Sequence, residues 1–203
     1  DDGVDGILMF RPLPKQLDEE AATRLLAVEK DIDGNTQGSL AGIYANTGDG
    51  FAPCTAEAVM AILNYYGIEM AGKKAVVIGR SLVIGRPVAM LLMHKQATVT
   101  ICHSRSKKID KISRKADILV AAAGQMQSID RNYIKEGQIV IDVGIHWDEK
   151  AQKLCGDVVT NDVEEVVAAV TPVPGGVGAV TTSILAKHVL EAAIKRRGIA
   201  DEI

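Results

Sequence analysis

Short apolar runs that end at glycine alternate along this chain with stretches in which apolar residues recur every three or four positions. Ala75-Val76-Val77-Ile78, closed by Gly79, has the length and β-branching of a strand buried on both faces. Residues 97–101, 118–122 and 139–143 repeat that pattern. Between them, residues 87–93 and 109–115 carry helical spacing. Strands alternating with helices predict an α/β fold built on a doubly wound parallel sheet of the Rossmann-like kind.

The flanks are less regular. Residues 6–10 form a short apolar run closed by Arg11-Pro12-Leu13-Pro14, which predicts a strand that stops at the prolines. Residues 18–28 have helical spacing that Gly34-Asn35 ends, and residues 34–53, rich in Gly, Asn, Thr and Asp, predict a loop. Thr55 offers an N-cap to a helix whose Val59, Ile62, Leu63 and Tyr66 share a face up to Gly67. A helix over 163–170 and a long one over 180–197, with a basic last turn before Gly198, complete the reading.

The 203 residues are 47% hydrophobic and 24% charged, enough for an ordinary globular core. A net charge of −3 provides no broad positive field, which argues against a nucleic-acid partner. Cys54, Cys102 and Cys155 are far apart and form no CxxC pair, so no metal site is expected and a reducing, cytoplasmic compartment fits. No uninterrupted apolar run nears the roughly 20 residues that span a bilayer, so no membrane segment is expected. The chain starts at Asp1-Asp2-Gly3 without Met, which reads as a gene product whose N-terminal segment is cut or processed.

Chemistry enters at the first strand's end. Gly79-Arg80-Ser81-Leu82-Val83-Ile84-Gly85-Arg86-Pro87 joins a buried strand to a helix start, where glycines permit a tight turn and free amides can face a pyrophosphate. The spacing departs from GxGxxG, and by itself it is equally that of a strand-loop-helix junction without a ligand. The second strand discriminates between nucleotides. Where an NAD site carries Asp or Glu for the ribose 2′-hydroxyl, this chain has Cys102-His103-Ser104-Arg105-Ser106-Lys107-Lys108. Hydroxyls and cations there, with Arg80 in the loop, suit a 2′-phosphate, so the expected cofactor is NADP. For Lys107 and Lys108 a solvated surface turn is the favoured reading over direct phosphate contact.

Four motifs in order give the sequence a family resemblance. Asp5-Gly6-Ile7-Leu8 with Pro12-Leu13-Pro14, Pro53-Cys54-Thr55, Gly79-Arg80-Ser81 with Gly85 and Pro87, and Thr171-Pro172-Val173-Pro174-Gly175-Gly176-Val177-Gly178 stand in register. They resemble the DGILVQLPLP, PCTP, GRSxxVGxP and TPVPGGVGP segments of the methylenetetrahydrofolate dehydrogenase/cyclohydrolase family. The resemblance implies oxidation of 5,10-methylenetetrahydrofolate to the methenyl form with NADP, commonly followed by hydrolysis to 10-formyltetrahydrofolate. It implies that Gly79, Arg80, Ser81, Ser104 and Ile145 line the cofactor, and that Asp49 is the catalytic-site carboxylate that holds the pterin. That role suits a carboxylate, which can accept two adjacent N–H donors side by side. Pro174, Gly175 and Gly176 would lie flat against the substrate. Family members are typically homodimers, and tetrahydrofolate derivatives are the expected small-molecule partners.

Departures sharpen the expectation. The family's YxxxK motif lies upstream of these residues, and Phe10 and Arg11 stand where the family has Gln and Leu. A phenyl ring cannot hydrogen-bond a catalytic lysine or a water, so weak cyclohydrolase activity beside strong dehydrogenase activity is expected. Ala179 replaces the usual Pro. The expected organisation is residues 1–66 as a remnant of the folate lobe, 67–171 as the NADP lobe, and 172–203 as a glycine loop and helix returning to the first, with the site in the cleft. Two other readings are open: another NADP oxidoreductase of similar architecture, such as a shikimate or amino-acid dehydrogenase, and a module that binds NADP and folate without turnover.

Overall fold

The computed structural model describes residues 1–198, so residues 199–203 of the expected closing segment lie outside the described residues. The chain divides into two compact units, Asp1–Cys54 with Thr182–Ile203, and Thr55–Thr181. The helix that follows Pro53 therefore counts almost wholly with the second unit, whereas the sequence assigns residues up to 66 to the first.

In the first unit, α1 (Glu19–Leu25) begins where the Asp18 side chain accepts the Ala21 amide at 2.9 Å. A 3-10 turn, Val28–Lys30, follows. The stretch 34–53 is not the continuous loop its composition predicts, because α2 (Gln37–Ala45) lies within it. Thr36 caps α2 by accepting the Ser39 amide, and Asn46 closes it in the left-handed region at φ 56°. Behind that cap, the buried Asp31 carboxylate accepts the Asn35 and Thr36 amides and the Ser39 hydroxyl. The strand expected over 6–10 is also corrected, to a single parallel bridge between Ile7 and Asp31. Pairing stops there because the partner segment turns away at Asp31 into the α2 cap, while Pro12 and Pro14 offer no amides.

The second unit runs α3 (Cys54–Tyr65), β1 (Lys74–Ile78), α4 (Gly85–His94), β2 (Thr98–Cys102), α5 (Ile109–Ser113), β3 (Ile118–Ala121), β4 (Ile139–Asp142), β5 (His146–Asp148), β6 (Lys153–Cys155), α6 (Thr160–Val163) and β7 (Ala169–Val170). The last helix, α7 (Val177–Arg197), begins in this unit and ends in the first. The strands β2-β1-β3-β4-β7 form one sheet in which every pair is parallel, which is the expected architecture. Val76, Ile78, Leu119, Ala121 and Val140 bury against Ile129, Val158 and Val163. Each fully buried aliphatic side chain contributes about 1.5–3 kcal/mol.

Two elements escaped the sequence reading. The β5–β6 hairpin is antiparallel and separate from the main sheet. The helix expected over 163–170 is α6 and a turn, after which the chain becomes strand β7. Val163, Val166, Val167 and Val170 do have helical spacing, and the Val167 amide still reaches the Val163 carbonyl. Beyond that point the open edge of β4 captures the backbone, with Ala168 and Thr171 amides donating to Gln138 and Val140 carbonyls. Thr171 precedes Pro172, which disfavours the helical conformation. α7 is long and apolar enough, by length and composition, to cross a membrane, although Thr181, Thr182, Ser183, Lys187 and Glu191 interrupt it, so it is not an unbroken apolar run. In the first unit its Ile184, His188 and Ala192 form a buried stripe, and Ala192 joins Ile32 and Phe51 in a small core.

Candidate functional site

Register places the site. Ile78 lies opposite Cys102 on one side and Ala121 on the other, and Ala121 lies opposite Asp142. The carboxyl ends of four strands are therefore level, and strand order reverses between β1 and β3. That is where an open parallel sheet leaves its ligand crevice.

At the end of β1, the Gly79 amide donates to the Cys102 carbonyl at 2.8 Å, with φ at 134°. A Cβ there would stand 2.1 Å from the Ala122 carbonyl oxygen. A Cβ on Gly85 would stand 2.3 Å from the Gly79 carbonyl oxygen, so the loop folds back on its own strand end. Ser81 has a second task that the sequence did not reveal. Its Oγ accepts the Ile84 and Gly85 amides at 3.1 and 3.4 Å, and its carbonyl accepts the Arg86 amide. Ile84 itself supplies no side-chain cap to α4, and Pro87 has no amide. Amides expected to face a pyrophosphate are thus engaged inside the loop, while the Ser81 hydroxyl keeps its own proton for an acceptor.

Two cavities open on this edge. The first, about 250 Å³, lies at the ends of β1 and β2 and is lined by Gly79, Arg80, His103, Ser104, Gln125 and Tyr133 among others. Arg80 and Ser104 are both exposed. The turn that carries Ser104 is fixed locally: His103 Nδ1 accepts the Arg105 amide at 3.1 Å, and Ser106 Oγ accepts the His103 amide at 3.0 Å. The second cavity, about 360 Å³, lies beyond β4, where Ile145, Pro174, Gly175 and Gly176 meet Thr55 and Ile84. Ile145 is 64% exposed, an apolar surface open to a ligand. Gly175 has φ 95° and nothing within 4 Å of a Cβ, so the backbone lies open there. At Gly176, by contrast, a Cβ would stand 2.3 Å from the Pro172 carbonyl, so the fold itself requires glycine.

Two carboxylates that no motif flagged are buried at this edge, and the first of them, Asp142, also lines the second cavity. Asp142, at the end of β4, and Asp157 are 1% and 0% exposed. Burial pushes the Asp142 carboxyl up from the usual range, against three backbone amides that lower it, and the charge of Asp157 adds to the rise. A sequence signal existed in retrospect, since each aspartate sits close to a glycine that makes room for it. A Cβ on Gly144 would stand 2.6 Å from Asp157 Oδ1, and one on Gly156 1.9 Å from Asp142 Oδ2.

Asp49 belongs to the first unit, where it is exposed on the turn after α2. Thr47 Oγ1 donates to its Oδ2 at 2.7 Å. A Cβ on Gly42 would stand 2.1 Å from the Asp49 carbonyl oxygen, which holds that turn close to the helix. Phe10, also of the first unit, is 80% exposed.

Residues 53–197 match the family described as tetrahydrofolate dehydrogenase/cyclohydrolase, NAD(P)-binding domain. Bifunctional protein FolD of Carboxydothermus hydrogenoformans is 53% identical over 190 residues, which is 93% of this chain and 66% of that protein. Its namesake in Clostridium kluyveri is 54% identical over 192 residues, 95% of this chain and 67% of that one. The chain thus spans about two thirds of the length of these curated relatives. Among solved structures, the bifunctional FolD methylenetetrahydrofolate dehydrogenase/cyclohydrolase of Campylobacter jejuni superposes with a TM-score of 0.93 at 38% identity, over 97% of this chain and 69% of that one. The Trypanosoma brucei enzyme, solved with NADP cofactor and an inhibitor, gives 0.87 at 38% identity, over 97% and 68%. The chain therefore belongs to the tetrahydrofolate dehydrogenase/cyclohydrolase family, and residues 53–197 carry its NAD(P)-binding domain.

Proposed function

We propose that the protein of which these residues are part oxidises 5,10-methylenetetrahydrofolate to 5,10-methenyltetrahydrofolate with NADP. The observation that carries this reading is the level carboxyl edge, where the tightly folded Gly79–Gly85 loop lies on a sheet whose strand ends border two cavities. A loop whose glycines bring backbone this close to the strand ends fits a dinucleotide.

NADP, when bound, would supply the hydride acceptor for oxidation of the folate methylene carbon. The protein's part is to hold and to orient. Gly79 and Ser81 bring backbone and a hydroxyl toward the phosphates. Arg80 and Ser104, which share the first cavity, suit the 2′-phosphate that separates NADP from NAD. Ile145 offers an apolar wall, with Pro174, Gly175 and Gly176 alongside it in the second cavity. Asp49 Oδ2 accepts the Thr47 hydroxyl and keeps a second lone pair, so both carboxylate oxygens can accept the pterin's paired N–H groups side by side.

Hydrolysis of the methenyl product is weak in this reading, since Phe10 has no group to orient a lysine or a water. The protein acts in the cytoplasm as a homodimer. The test is NADP reduction by the full-length protein with methylenetetrahydrofolate, run beside hydrolysis of methenyltetrahydrofolate. Rapid reduction with slow hydrolysis is expected. Absence of reduction with either NADP or NAD overturns the dehydrogenase reading.

A further inference from the structure

We propose that Asp157, through His146 and with Asp142 behind it, is a positioning residue for the dinucleotide, coupling the walls of the two cavities so that both halves of the site are held by one buried hub. The inference rests on the dinucleotide reading above and adds to it a determinant of affinity that touches no ligand.

The contacts converge from three segments. Asp157 Oδ2 accepts the Gly124 amide at 3.0 Å, and Oδ1 accepts the Gln125 amide at 3.0 Å. Gln125 lines the cavity at the ends of β1 and β2. Asp157 Oδ1 also lies 2.8 Å from His146 Nε2. An ionised carboxylate can only accept, so Nε2 carries the proton. His146 follows Ile145, the exposed wall of the second cavity. The main chain completes the hub: Asp142 Oδ1 accepts the Asp157 amide at 3.0 Å and the Gly144 amide at 2.9 Å, and Asp142 Oδ2 accepts the Val158 amide at 3.0 Å. The strand end before Ile145 and the loop after β3 are thus tied to the same two side chains.

Two adjacent buried carboxylates are a costly way to hold a loop. Each must be stripped of water, and each repels the other. A neutral amide at the opposite edge of the same sheet, Gln138, ties loops together with no charge buried. What carboxylates add is a set of short charge-assisted bonds, up to three to one group, that are stronger and more directional than those of a neutral amide. Gly144 and Gly156 fit this reading independently, since any side chain at either would collide with the hub. The cavity walls are held before a ligand arrives, and pre-organisation of this kind raises affinity without adding a contact.

The test uses the full-length protein, with NADP alone as probe, in calorimetric titration and thermal melting of the parent, His146→Leu, His146→Gln and Asp157→Asn. Leu fills much of the space and removes the donor, whereas Gln keeps an N–H within reach of Asp157. His146→Leu is expected to weaken NADP binding about tenfold, and His146→Gln by no more than about threefold. Asp157→Asn, which opposes an NH₂ group to at least one of three donors, weakens it at least as much as His146→Leu. The KM for NADP rises in parallel while kcat changes less than about twofold. The inference is overturned if His146→Leu melts lower but binds NADP like the parent, or if Gln is as damaging as Leu. The histidine pair decides the matter even if Asp157→Asn does not fold. Failure of the parent itself to bind NADP overturns the dinucleotide reading instead.

Discussion

The two edges of the sheet solve opposite problems. At the amino edge, Gly72 and Gly137 precede β1 and β4 with φ of 72° and 73°, and a Cβ on either would meet nothing within 4 Å. They turn the chain, and a side chain at either would meet no obstacle. The groups beside them are satisfied cheaply: Gln138 donates to two carbonyls, and the half-exposed Asp117 meets the Lys74 amide and the Lys135 ammonium. At the carboxyl edge, Gly79, Gly85, Gly144 and Gly156 are glycines because another backbone or a buried carboxylate already occupies the place of a side chain. Close approach of backbone is what a ligand-binding edge needs, and it is purchased there with strain and buried charge.

The sharpest way to break this contrast is Gly79→Ala. Its cost combines a left-handed backbone, about 1–2 kcal/mol, with an overpacked Cβ, about 1–3 kcal/mol. A loss of about 2–5 kcal/mol in urea unfolding is expected, a large share of the roughly 5–15 kcal/mol that holds a domain together. A loss below about 1 kcal/mol would mean that the loop relaxes freely and that its tight fold is incidental.

Gly178→Ala sharpens the contrast from the other side. This residue lines the second cavity, has no positive φ and meets nothing within 4 Å. The protein places no obstacle there, so any need for glycine comes from what enters the cavity. Alanine should raise stability by up to about 1 kcal/mol through helix propensity. It should also lower kcat/KM for methylenetetrahydrofolate oxidation about tenfold, as a methyl group displaces the ligand. Unchanged kinetics would remove the 174–178 segment from the binding surface.

At the amino edge the effects shrink. Gly137→Ala should cost about 1 kcal/mol for the left-handed conformation alone, and Gly137→Asn less, because asparagine tolerates that region. Paired urea titrations of the two variants check it. If alanine there costs as much as at Gly79, the two edges do not differ in kind.

The same contrast explains what was legible in the sequence. β1, β3 and β4 were readable because strands buried on both faces are continuous apolar runs, the edge strand β2 because its β-branched residues alternate in burial, and the Gly79–Gly85 loop because glycine must stand where backbone crowds. α2 was not, since Thr36 and Asn46 cap a helix whose Gly38 and Gly42 read as loop. β7 was read as helix because the choice was made by the free edge of β4, which no local pattern contains. The Asp142–Asp157 pair, fifteen residues apart in sequence, becomes a unit only when the β5–β6 hairpin brings its ends together. Ser104 and Arg80 line one cavity, but the capping task of Ser81 depends on loop geometry that spacing does not encode.

The smallest effect tests the charge side of the comparison. The Lys74 amide and then the Lys135 ammonium hold the Asp117 carboxyl below its ordinary range, whereas burial pushes that of Asp142 above it. Linkage gives the two opposite signs. The contribution of Asp117 is present above the unfolded-state value of about 3.9 and is lost as pH falls through its lower folded value. That of Asp142 is present below about 3.9 and is lost as pH rises through its higher folded value. Asp117 is 41% exposed at the side chain, so screening limits its ion pair to about 0.5 kcal/mol. Asp117→Asn should therefore be less stable than the parent by about that amount at neutral pH, with the gap closing below about pH 4 and shrinking in high salt. Urea unfolding of both proteins across that range measures it. A gap that persists in acid would mean that the Asp117 contribution is the neutral hydrogen bond to the Lys74 amide, and that the amino edge, like Gln138 beside it, is held without charge.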